Sequence, residues 1–343
     1  MIATSAQVVV VTGASAGIGR ATARAFGARG AAVGLIARGR DGLEEARREI
    51  EAAGGRALVL VCDVADPEQV ERAAERVETE LGPIDVWVNV TMVTVFGPVH
   101  GLSPAELRRA TEVTYLGAAY GAMAALKRMR ARDRGTIVQV GSALAYRSVP
   151  LQAAYCGAKA AIRGFLDSLR CELLHERSNV KVTMLQISAF NTPQFDWARC
   201  HMDRAPQPLP PIYQPEVAAQ AVVYAADHPR REFWVGWPAV EAILGQRIAP
   251  GLLDRMMARS GYSGQLSDQR TTPDRPDNLY EPVAGDYGAR GRFSDRARDR
   301  SSQFWLASHP VATLAATAAA GLLIAAGLAG LARSPDRLRI ASR

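Results

Sequence analysis

Val8-Val9-Val10-Val11-Thr12-Gly13-Ala14-Ser15-Ala16-Gly17-Ile18-Gly19-Arg20 stands near the start of the 343-residue chain, and an Ala-rich helical pattern follows it. Four consecutive valines mark a strand buried on both faces. The three glycines then divide the work of a tight turn. Gly13 permits the turn itself, Gly17 lets main chain approach a ligand, and Gly19 lets helix close on strand. Ser15 and Ile18 lie on the same turn. N–H groups at the start of the next helix lack carbonyl partners and carry partial positive charge, so the turn predicts a seat for phosphates. Glycine triplets occur in many turns. The strand before this one and the helix after it are what mark it as a nucleotide site.

Outward from the turn, continuous apolar runs recur at Ala31–Ala37, Ala57–Val61, Ile84–Val90, Thr136–Val140 and Val180–Ile187. Helical patterns cover Asp41–Ala53, Pro67–Glu80, Pro104–Arg130 and Ala153–Arg177. Strand and helix in alternation predict an α/β fold, a doubly wound parallel sheet of Rossmann type forming a single catalytic domain over residues 1–245. The second run ends Leu35-Ile36-Ala37-Arg38. An acid at that strand end would take a ribose 2′-hydroxyl, whereas the fork of Arg38 suits a 2′-phosphate. NADP(H) is therefore the expected cofactor, with NAD the second candidate.

Composition narrows the rest. With 48% hydrophobic and 22% charged residues, the chain has material for a core, and disorder throughout is excluded. Four Cys, none in a C-x-x-C pair, exclude a disulfide scaffold. The net charge of +7 rests almost wholly on Arg spread among acids, with Lys only at 127, 159 and 181, so no nucleic-acid partner is expected. His100, His175, His201, His228 and His309 show no metal-ligand spacing, and no metal is expected.

A second cluster lies downstream: Gly141-Ser142-Ala143, then Tyr155-Cys156-Gly157-Ala158-Lys159. Tyr155 and Lys159 are four apart on a predicted helix and share a face. A free phenol titrates near 10, too high for easy proton exchange at neutral pH, and a neighbouring ammonium favours its phenolate. Ser142 closes a strand, where such a sheet opens its ligand crevice.

The T-G-x-x-x-G-x-G spacing and this Ser–Tyr–Lys set resemble the short-chain dehydrogenase/reductase family, over about residues 5–245. The resemblance implies interconversion of an alcohol and a carbonyl. Ser142 would hydrogen-bond the substrate oxygen, Tyr155 transfer the proton, and Lys159 hold the nicotinamide ribose and tune Tyr155. It implies that Gly13, Ser15, Gly17, Ile18 and Gly19 seat the cofactor, with Arg38 marking NADP(H). Asp63 would meet the adenine amine, Asn89 the adenosine side and Thr192 the nicotinamide carboxamide. It also implies a homo-oligomer.

Three motifs depart from the family pattern. N-N-A-G reads Asn89-Val90-Thr91-Met92, and Pro-Gly after the sixth strand reads Ile187-Ser188. The family Asn that positions a relay water falls at Thr114, whose hydroxyl is the expected replacement. These departures keep two other classes open: an NADP(H)-binding scaffold or sensor with little turnover, and an isomerase or dehydratase using the same Tyr–Lys pair.

The loop Ala189–Pro215 carries Phe195, Trp197, Met202, Leu209, Ile212 and Tyr213 among prolines 193, 206, 208, 210 and 211 and predicts an apolar lid over a hydrophobic substrate. Residues 246–305 are polar and turn-rich and read as an irregular extension. Residues 306–332 read as a membrane helix. Their stretch 311–332 holds 22 uncharged residues, about 33 Å as a helix and enough for the ~30 Å hydrocarbon core. A basic tail, 333–343, closes the chain. Met1–Gln7 is too short and polar for a signal peptide, so the expected arrangement is membrane attachment with the catalytic domain cytoplasmic.

Overall fold

A computed structural model describes residues 6–272 and 275–314. Seven strands form its central sheet: β1 Val8–Thr12, β2 Ala32–Ala37, β3 Arg56–Val61, β4 Val86–Asn89, β5 Thr136–Val140, β6 Lys181–Ile187 and β7 Glu232–Val235. The order across the sheet is β7-β6-β5-β4-β1-β2-β3, every pairing parallel. The chain runs outward from β1 to β3, then returns to the other side of β1 with β4. The reversal leaves a crevice beyond the carboxyl ends of β1 and β4, where ligands bind in open sheets of this kind. β1 and β2 are buried along their whole length, as their unbroken apolar runs require.

Helices α1 Gly17–Gly27, α2 Arg40–Ala52, α3 Pro67–Glu80, α4 Pro104–Thr111, α5 Gly117–Arg132 and α6 Ala153–His175 cover the faces. Local chemistry sets their starts. Asp66 accepts from the N–H groups of Glu68 and Gln69 with Pro67 at the first position, and Ser103 and Glu106 cap α4 reciprocally. α1 and α2 have no side-chain cap; at α1, where Ala16 precedes the helix, Gly17 N–H donates to Gly288 O and the amide donors after it are left for another partner. Between α4 and α5 the single helical pattern expected over Pro104–Arg130 is interrupted by a π-helical turn, Glu112–Leu116.

The later chain adds α7 Gln194–Trp197, α8 Pro215–Asp227, α9 Trp237–Ile248 and α10 Pro250–Gln265. This corrects two expectations. A boundary at residue 245 would cut α9, and the stretch to 265 is helical rather than irregular. The compact unit extends to Ser301. Its last part, from Thr271, is mostly irregular but tied into the body, with Ala297–Arg298 pairing in parallel to Ile212–Tyr213.

A second unit begins at Ser302 and contains α11, Ser302–Ser308. The expected membrane segment 306–332 and the basic tail fall mostly outside the described residues, which end at Leu314. Among the described residues no helix is long and apolar enough to cross a membrane.

Candidate active site

The turn between β1 and α1 takes the shape its glycines allow. Gly13 has φ +71° and Gly17 φ +59°, both left-handed. At Gly19 any side chain is excluded by backbone, because a Cβ there would lie 2.0 Å from the Gly13 carbonyl oxygen. Gly13 N–H donates to Ile36 O at 2.7 Å, pinning the turn to the end of β2. Thr12 Oγ1 accepts from the N–H groups of Val90 (3.0 Å) and Thr91 (3.3 Å), tying β1 to the chain after β4 across the crevice.

A cavity of about 600 Å³ follows this crevice from one side of the sheet to the other. At the nucleotide end it is lined by Gly13, Ser15, Gly17, Ile18, Gly19, Arg38, Asp63 and Thr192. A side-chain-free cradle, an uncapped helix start and a cation at the tip of β2 fit a dinucleotide with its phosphates at α1. The Thr91 hydroxyl, also in the lining, is buried and has no hydrogen-bond partner in the protein, as expected of a wall that meets a polar ligand.

Ser142, beyond the end of β5, and Tyr155 and Lys159, in the first turns of α6, line the same cavity. Ser142 follows β5 and is held by its N–H, which donates to the buried amide oxygen of Gln186 at 3.0 Å. The neighbouring Ser142 hydroxyl favours the Tyr155 phenolate. Burial, the dominant effect, pushes the phenol above its usual 10. Lys159 Nζ lies 5.5 Å from the Tyr155 ring centre and donates to Val140 O at 2.9 Å. It is fully buried, with no carboxylate among the described residues as ion-pair partner, and desolvation brings its pKa down to about 8. An anionic group or phenolate placed beside it would restore its charge.

Two expected site residues are spent elsewhere. The Thr114 hydroxyl donates to Val93 O (3.0 Å) and accepts from Val93 N–H (3.1 Å). It does not line the cavity, so its expected hold on a relay water is corrected to a brace for the chain after β4. Asn89 likewise accepts from Trp87 Nε1 (2.8 Å) and donates to Ala118 O (3.0 Å). One end of its amide braces its own strand and the other ties the strand to α5, and it forms no part of the cavity wall.

Arg38 and Asp63 stand at the cavity with partners that no local pattern indicated. The Arg38 guanidinium donates to the carbonyls of Asn278 and Tyr280, each at 2.5 Å. Burial lowers its pKa, yet an arginine so placed stays cationic. Arg109 on α4 donates to Asp63 Oδ2 (2.5 Å) and to Leu279 O (3.1 Å), and so orients the carboxylate. Arg109 was legible only as one helical arginine among many.

The substrate end is mostly apolar, with Gln152, Gln207, Glu241 and Gln265 among its polar lining. Phe190, Phe195, Trp197, Pro208, Leu209 and Pro210 come from the lid loop. Met202, Ile212 and Tyr213 do not join them. Ile212 packs with Phe96, Phe195 and Phe293, and Tyr213 is buried against Phe190. Pro238 and Ala242 of α9 and Leu253, Met256 and Met257 of α10 complete the chamber, so part of the substrate wall comes from beyond residue 245.

A glycine-turn dinucleotide crevice that opens beside a Ser–Tyr–Lys set defines a nicotinamide-dependent oxidoreductase. The family model for short chain dehydrogenases matches residues 7–200, and the chain belongs to that family. It is 32% identical over 314 residues to the uncharacterized oxidoreductase YxnA of Bacillus subtilis, covering 91% of this chain and 88% of that one. It is 34% identical to the cis-4-hydroxycyclohexanecarboxylate dehydrogenase of Sinomonas cyclohexanicum, over 64% of this chain and 89% of that one. An alcohol dehydrogenase of Thermococcus sibiricus, solved with 5-hydroxy-NADP, superposes with a TM-score of 0.58 at 27% identity, covering 67% of this chain and 95% of that one. The protein is an NAD(P)-dependent enzyme acting on CH–OH or C=O groups.

Proposed function

We propose that the protein interconverts a lipophilic alcohol and its carbonyl compound with NADP(H). The supporting observation is one continuous cavity, with Arg38 at the end of β2, Ser142 and Tyr155 beyond β5, and an apolar chamber under α9 and α10. The bound nicotinamide dinucleotide supplies or takes up the hydride. The chain does the rest. Ser142 and Tyr155 meet the substrate oxygen with hydroxyl groups, and in reduction Tyr155 gives its proton to that oxygen as negative charge develops there. Lys159, when protonated, stabilises the phenolate left on Tyr155. The lid loop and α10 limit the water at the reacting carbon, because their cavity faces are mostly Phe, Trp, Leu, Pro and Met, with Gln194, Gln207 and Gln265 among the polar exceptions.

The test is consumption of NADPH and of NADH by the purified protein across aldehydes and ketones of rising chain length. The expected result is a kcat/KM that rises with chain length and is higher with NADPH, and Arg38→Ala should lower the NADPH/NADH ratio about tenfold or more. Equal turnover of short hydrophilic and long-chain carbonyls overturns the lipophilic reading. Binding without consumption favours the scaffold class, and product without net oxidation favours the isomerase class. Membrane attachment through residues 306–332 is a separate part of the proposal, supported by the uncharged run 311–332, and is tested by whether removing 306–343 releases the enzyme from the membrane fraction.

A further inference from the structure

Residues 277–293 run along the nucleotide end of the cavity and touch each part of it in turn. Leu279, fully buried in the main core, fixes one end beside Arg38 and Arg109. The chain then passes Asp41, whose carboxylate accepts from Gly285 N–H at 3.0 Å, and Arg20, which donates to Asp286 at 2.8 Å. At the start of α1, Gly17 N–H donates to Gly288 O at 3.1 Å. The far end is fixed by Ala289, packed on Ala21 and Ala219, and by Phe293, whose N–H donates to Asn191 on the substrate side at 2.9 Å. Pro282, Val283, Gly285 and Tyr287 face the cavity along with the glycine turn.

The two ends and the middle are held differently. Leu279, Ala289 and Phe293 are buried apolar anchors. Residues 280–288 are mostly exposed; their ties to the glycine-turn side are single polar bonds, one of them to the buried guanidinium of Arg20, and Tyr287 meets Trp197 edge-on with ring centres 4.7 Å apart. Gly285 (φ +95°) and Gly288 (φ +62°) both sit in the left-handed region, with no atom within 4 Å of the place a Cβ would take. A few polar ties and one aromatic contact between two buried anchors, with a glycine at each side of Asp286-Tyr287, make a stretch that opens without disturbing the sheet.

We propose that residues 280–288 are a clasp that closes over the bound nicotinamide dinucleotide, and that the cofactor exchanges only when the clasp lifts. The inference rests on the family's dinucleotide chemistry and holds for NADP and NAD alike. Retention is then set by Asp41 and Asp286, which touch the clasp and Arg20 rather than the reacting atoms. Most affinity differences of this kind fall in the dissociation rate.

The experiment is stopped-flow dissociation of NADPH and of NADH, followed by nicotinamide fluorescence, from native protein and from Asp41→Ala, Asp286→Ala and the double variant. The double variant should release both nucleotides about tenfold faster or more, with association rates changed far less. Hydrogen exchange on the native protein gives a reading free of folding defects: amides at 283–288 should slow when either nucleotide is added. Dissociation within twofold of native in a folded double variant overturns the clasp. So does unchanged exchange at 283–288, or an acceleration confined to NADPH. The last result would place the effect on Arg38. Loss of NADPH preference alone fails the cofactor reading and leaves the clasp standing.

Discussion

The nucleotide half of the cavity is walled largely by main chain, the substrate half by side chains. At Gly13, Gly17 and Gly19 the turn itself is the binding surface, and the Gly19 position leaves 2.0 Å to the nearest backbone oxygen. Under α9 and α10 the wall includes Leu253, Met256 and Met257, with Met256 also 48% exposed. A main-chain cradle has one shape and tolerates almost no added atom. Flexible thioether and branched side chains refill space when one is changed. The first half therefore fixes what the enzyme always uses, and the second leaves room for what distinguishes it from its relatives.

The sharpest break in that comparison comes between the halves. Tyr155→Phe removes the hydroxyl proposed to give the proton while keeping the ring, so kcat should fall about a thousandfold or more with nucleotide affinity within a few-fold of native. Gly19→Ala comes next. The Cβ must push Gly13 out of position, and nucleotide Kd, read by fluorescence titration, should rise about a hundredfold with a clear loss of thermal stability. Leu253→Ala is expected to leave nucleotide Kd unchanged and to raise KM for long-chain carbonyls about tenfold, since one buried aliphatic side chain contributes about 1.5–3 kcal/mol. An effect on nucleotide binding as large as that of Gly19→Ala would erase the distinction.

Lys159 gives the smallest and most specific effect. Its pKa in the fold, about 8, lies below the ordinary value of 10.5, so the protonated amine opposes folding below about pH 8. That opposition fades as pH rises from about 8 to 10.5. In nucleotide-free protein the melting temperature of the native chain should therefore gain on that of Lys159→Met across this window, and parallel curves would show that the amine is not desolvated as placed.

Much of the sheet is legible from local pattern. The runs at 31–37, 57–61 and 136–140 lie within a residue of β2, β3 and β5 because strands buried on both faces need unbroken apolar stretches. β7, with Glu232 at its start and only four residues, carries no such run. Ser142, Tyr155, Lys159 and the glycine turn all line the cavity, since each obeys a spacing fixed by one strand or one helix. Thr114 and Asn89 show where that logic stops. A buried hydroxyl or amide joins whichever backbone groups lie unpaired nearby, and neither Val93 nor Ala118 is marked in the sequence as its partner. Arg38 and Tyr280 are 242 positions apart and meet through a backbone carbonyl, which has no residue-type signature at all. The one hint was Leu279, a lone large apolar residue in a polar stretch, and it is the residue buried at the anchor.

The exposed stretch between Leu279 and Ala289 also makes the chain divisible. A protease that cuts within 280–288 severs one peptide bond while the anchors on both sides stay buried, and Ala297–Arg298 stays paired to Ile212–Tyr213. The two pieces should therefore separate in denaturing electrophoresis yet travel together as a folded particle. Its dinucleotide cleft would then close only as well as two unlinked chain ends can meet.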